Sequence, residues 1–120
     1  MDDTIAMQAI AFRGMTKGHI PKWWNLIQSE DYCFARVFNF ITPEKGLERW
    51  PTLVNHETNR IDEMERAIKQ FNLDGTCDSK DHRVVQALAM YASANNLPIK
   101  CKYPDAVNKS WPQFWDFIYL

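Results

Sequence analysis

The sequence predicts an all-α fold: an irregular single domain, residues 1–120, of five to seven helices packed around a central buried helix at about 79–96. Three observations lead there. Between Val84 and Ala94 only Gln86 and Ser93 are polar, so a helix over this stretch is apolar on nearly all sides and belongs inside a domain. Phe34, Val37, Phe38 and Ile41, and again Ile61, Met64, Ile68 and Phe71, recur at three- and four-residue spacing, each set one helical stripe. The alternation of a half-buried strand occurs at Ile99, Cys101 and Tyr103, between Lys100 and Lys102, and with no partner strand identifiable that segment reads as extended loop with some strand character.

In chain order, Asp3 or Thr4 caps a first helix carrying Ile5, Ala9 and Phe12, which Gly14 ends. Pro21 is acceptable in the first turn of a short second helix that runs to about Gln28. Ser29 caps the third, with Glu30 and Asp31 in its first turn. Thr42, Pro43 and Glu44 start a short helix that Trp50–Pro51 stops, because the residue before proline is pushed away from helical angles; Leu47 and Trp50 are its expected anchors.

From Asn55 or Thr58 to Asn72 the pattern is that of a regular amphipathic helix. Asp62–Arg66 and Glu65–Lys69 stand four apart on its solvated side, each pair adding roughly 0.2–0.5 kcal/mol. Leu73 to Cys77, around Gly75, makes the turn into the central helix. Asp78 or Ser79 caps that helix, and Asp81 adds negative charge where the helix dipole favours it. Asn96 takes a left-handed cap position, Leu97 folds back, and Pro98 cannot continue the helix. Near the C-terminus Ser110 and Gln113 form a capping box. Trp111, Phe114, Trp115 and Ile118 share the face that closes the core, while Phe117 and Tyr119 point elsewhere.

Composition excludes several classes. A net charge of −1 argues against binding driven by bulk attraction to nucleic acid or an anionic membrane. No stretch approaches the roughly 20 apolar residues of a membrane span, and the first residues do not read as a signal sequence. Three cysteines, Cys33, Cys77 and Cys101, form no close pair in sequence, which argues against a disulfide framework or a zinc ribbon and for reduced thiols in the cytoplasm.

Candidate chemistry is sparse. A helix-turn-helix around Gly14 would put Pro21 inside the recognition helix, and one around Asn96 would put Pro98 and Pro104 there. Asp78 and His82, with Asp74, Cys77 and Asp81 nearby, make the one cluster in which a metal site or an unrecognised enzyme centre could be sought at 74–82, yet the spacing matches neither an EF-hand nor a zinc motif. Neither Cys77 near His82 nor Cys33 sits in a nucleophile motif, and no glycine-rich phosphate loop is present. No catalytic residue, metal or cofactor is therefore expected.

What remains is recognition of another macromolecule. The expected partner surface uses Arg13, Lys17, Lys22, Trp23, Trp24, Phe117 and Tyr119, with aromatic anchors and a charged rim. A protein or nucleoprotein complex is the expected partner, and a homodimer is compatible with the same apolar tail. Short chains without catalytic motifs are often phage or mobile-element inhibitors of a host enzyme or defence complex, anti-CRISPR-like in that sense, or immunity proteins for a toxin. The alternative is a small DNA- or RNA-binding regulator that uses Arg13, Lys17, Lys22, Lys100 and Lys102.

Overall fold

The computed structural model describes residues 32–39, 41–55, 59–109 and 111–118. The first two helices expected from the sequence and the Ser29 cap lie outside these residues. Within them the chain folds as helix α1 (Tyr32–Val37), helix α2 (Pro43–Arg49), a 3-10 helix (Pro51–Asn55), helix α3 (Arg60–Asp74), strand β1 (Thr76–Cys77), helix α4 (His82–Ala94), strand β2 (Lys100–Cys101), a second 3-10 helix (Pro104–Lys109) and helix α5 (Phe114–Ile118). The fold is mostly α, as the sequence predicts.

α4 is the buried centre. Val84, Val85, Gln86, Ala87, Leu88 and Met90 are wholly excluded from solvent, and Ala89 and Ala92 nearly so. Burial on every side follows from the near absence of polar residues, and the alanines let α1, α3 and α5 approach closely. Its cap is Asp81, not Asp78 or Ser79: the Asp81 carboxylate accepts from the Arg83 N–H at 3.0 Å, while the Ser79 hydroxyl accepts from the Asp81 N–H at 3.1 Å. Three eligible caps stand within four residues, and the one that Arg60 also reaches is the one used.

The far end of α4 matches expectation. Asn96 has φ 54°, its N–H donates to Ser93 O, and the Leu97 N–H donates to Ala92 O at 2.8 Å, the paired bonds of a Schellman turn.

α2 begins as expected, with Thr42 Oγ1 accepting from the Lys45 N–H at 3.2 Å and Pro43 in the first turn. Of its two expected anchors, Trp50 packs half-buried against the core, but Leu47 is 43% exposed, and the helix is also seated by Gly46 on the buried ring of Tyr32. A Cβ at Gly46 would lie 2.3 Å from Tyr32 Cε1, so this approach admits only glycine.

α3 starts one residue after Asn59, whose side chain accepts from the Asp62 N–H at 3.2 Å, so Asn59 is the cap in place of Asn55 or Thr58. Gly75, with φ 76°, closes it, and its N–H donates to Phe71 O at 2.8 Å. The surface pairs are not those four apart in sequence. Arg66 turns to Glu63 and to Asp78, and Glu65 is taken by Arg36, whose bidentate contact joins α1 to α3.

The extended segment after α4 does have a partner. β1 and β2 pair in parallel, Thr76 with Lys100 and Cys77 with Cys101, held by Lys100 N–H to Gly75 O and Lys102 N–H to Cys77 O. α4 is the crossover between them, as parallel strands require. Next, Val107 on the second 3-10 helix is buried against α4. Trp111, Phe114 and Ile118 then close the core as expected, while Trp115 is half-buried and its indole N–H donates to Pro104 O at 2.9 Å.

Candidate functional site

The turn from α1 into α2 makes a concavity. Asn39, in the left-handed region at φ 64°, ends α1, and Thr42–Pro43 restarts the chain in a new direction. Between the two helices lies an open cleft of about 830 Å³ walled by Arg36, Asn39, Ile41, Pro43, Glu48 and Arg49 among others.

Much of this wall is fixed by its own contacts. Arg36 donates to both Glu65 carboxylate oxygens, at 2.6 and 3.0 Å, and to Asn39 Oδ1 at 3.4 Å. The Glu65 bonds push the Arg36 guanidinium above its ordinary pKa, so its charge is permanent. Lys45 lies 3.4 Å from Glu48, and Arg49 stands over the Trp50 ring at 5.0 Å from its centroid. Cations at the cleft thus stand beside carboxylates or an aromatic face, which gives a mixed surface and not a positive one. Beyond the rim, Leu47 on α2 and Val54, 38% exposed on the following 3-10 helix, present apolar side chains to solvent.

The 74–82 cluster is occupied by structural bonds. Asp74 accepts from the Thr76 N–H at 3.0 Å and from Gln70 at 2.8 Å, and the Thr76 contact leads in holding its carboxylate below the ordinary range. Asp78 lies 3.6 Å from Arg66 and 3.7 Å from Lys102. Asp81, wholly buried, accepts from Arg60 Nε at 2.9 Å, and Arg60 Nη2 lies 3.3 Å from His82 Nε2. This buried pair clamps the start of α3 to the start of α4. Among the described residues no group of three or more His, Cys, Asp or Glu is placed to hold a metal ion.

The thiols behave differently from one another. Burial, then the Asp81 charge, pushes Cys33 far up, so it is an inert core residue. Cys77 and Cys101 face each other across the strand pair, a juxtaposition that their 24-residue separation hides in the sequence.

Of the residues expected at a partner surface, Arg13, Lys17, Lys22, Trp23, Trp24 and Tyr119 lie outside the described residues, as does the expectation for the Phe117 side chain. Lys100 and Lys102 are exposed on and beside β2, and Lys102 faces Asp78. The cleft at 36–49 was not anticipated. Thr42–Pro43 located the helix start, but concavity depends on how α2 seats on Tyr32. No helix among the described residues is long and apolar enough to cross a membrane. No protein-family model, curated protein or solved structure matches the chain.

Proposed function

We propose that the chain is a non-catalytic binding protein whose partner is another protein, docked on the α1–α2 cleft with Leu47 and Val54 as apolar contacts. The observation that carries this reading is the cleft itself, a concave surface whose wall includes Arg36 held in place by Glu65 and Asn39, and whose second helix, α2, also exposes Leu47. Pre-ordered side chains lose little entropy on association, and apolar contacts within a mixed-charge rim are the anatomy of a protein interface.

Charge favours a protein over a nucleic acid. Phosphate binding draws on protein cations that displace the counterions condensed on the nucleic acid, whereas Arg36 and Lys45 already face carboxylates. Nonspecific binding to duplex DNA at physiological salt is expected to be weak, about 10–100 μM. Within this reading, the partner is a host enzyme or defence complex blocked by a phage or mobile-element inhibitor, or a toxin met by its immunity protein, in the cytoplasm. Size, near-neutral charge and the lack of a catalytic motif support that choice. Arg13, Lys17, Lys22, Trp23, Trp24, Phe117 and Tyr119 are proposed to extend the surface.

A photoreactive amino acid at position 47 of the full chain, in cells that carry the gene, tests the proposal. Crosslinking to one protein from position 47, and not from exposed position 69 on α3, is the expected result. Equal labelling from both positions, or an adduct destroyed by nuclease, would overturn it.

A further inference from the structure

Cys77 and Cys101 are register partners in a parallel strand pair. Neighbouring strands stand about 4.8 Å apart, inside the roughly 4.4–6.8 Å window of Cα separations that a disulfide spans. Both are free thiols. The two are not equivalent. Cys77 is wholly buried, whereas Cys101 is partly exposed and lines a small pocket of about 190 Å³ with Ile99, Pro104 and Trp115. A small oxidant therefore meets Cys101 first.

We propose that Cys77 and Cys101 form a peroxide-reactive dithiol, with Cys101 as the attacking thiol and Cys77 as the resolving one. The neighbouring Cys77 lowers the pKa of Cys101, while the Cys101 neighbour and then burial raise Cys77, so the accessible sulfur is the one that ionises first. In the first step the Cys101 thiolate attacks a hydroperoxide oxygen: the S–O bond forms, the O–O bond breaks, and the departing oxygen takes up a proton. Cys101 is then a sulfenic acid. In the second step the Cys77 sulfur attacks the Cys101 sulfur. The S–S bond forms, the S–O bond breaks, and hydroxide leaves with the Cys77 proton as water. Two electrons pass from the sulfurs to the peroxide, and the link closes the chain around α4.

Hydrogen peroxide applied to the reduced full-length protein tests this. The expected product is a monomer lighter by two hydrogens, with a Cys77–Cys101 peptide link and one titratable thiol, Cys33, remaining of three. In Cys77→Ser, a dimedone adduct is expected to accumulate on Cys101; in Cys101→Ser, Cys77 is expected to stay unmodified. Three intact thiols in the wild type, a disulfide through Cys33 or between chains, or equally fast dimedone labelling of Cys77 in Cys101→Ser would each overturn the proposal. If Cys77→Ser fails to fold, the wild-type peptide map alone decides.

Discussion

Tyr32 and Asp81 are both excluded from water and call for opposite treatment. The Tyr32 hydroxyl is buried without a hydrogen-bond partner among the described residues, which costs the desolvation of a polar group with no return. Tyr32→Phe is therefore expected to raise stability in denaturant unfolding, by up to about 1–3 kcal/mol. Burial, then Cys33 and Glu65, raises the Tyr32 pKa above its ordinary 10.0. The unfolded chain gives up the phenol proton near pH 10 while the folded chain keeps it, so this contribution is complete below pH 10 and is lost as pH rises beyond it. The phenylalanine variant should lose less stability between pH 9 and 11 than the wild type. A destabilised variant would mean that the hydroxyl is paired.

Asp81 pairs with Arg60 inside the protein, so Asp81→Ala is expected to cost about 3–5 kcal/mol by breaking a buried ion pair. Arg60→Leu combined with Asp81→Ala should cost less than the sum of the two single changes. Strict additivity would show that the pair is not coupled. Only half of this arrangement was legible: the stretch Asp78–Asp81 announces a cap, but Arg60 arrives from 21 residues away and decides which residue serves.

At the scale of elements, the helices were legible because burial imposes a period and caps leave a chemical signature. Asn96 stands at the left-handed position that the sequence implies, and Gly75 makes the turn it implies. β2 showed its alternation at 99–103, but β1, two residues long, carries no period, and the partnership of the two depends on α4 crossing between them. Leu47 was misplaced for a related reason: the helical pattern of α2 cannot reveal that its close approach to Tyr32 uses Gly46. The central element has a direct test. Leu88, wholly buried on α4, should cost about 2–5 kcal/mol on truncation to Ala through lost burial plus a cavity. A loss under about 1 kcal/mol in denaturant unfolding would mean that α4 is not the centre.

At the scale of the molecule, the core and the proposed recognition surface are separate. The core runs through α4, α1, α3 and α5, whereas Leu47 and Arg49 stand exposed on α2 outside it. Leu47→Asp with Arg49→Glu should then leave the unfolding midpoint close to that of the wild type while abolishing partner binding. The sequence places the recognition surface on Arg13, Lys17, Lys22, Trp23, Trp24, Phe117 and Tyr119 and does not reveal the α1–α2 cleft, because a cleft is a property of how helices seat and not of any one segment. The most direct measurement compares the partner retained by wild-type and doubly substituted protein at matched concentration, with thermal unfolding of both samples alongside. Stoichiometric retention by the wild type and none by an equally stable variant is the expected result; equal retention by the two would contradict a binding function at the α1–α2 cleft.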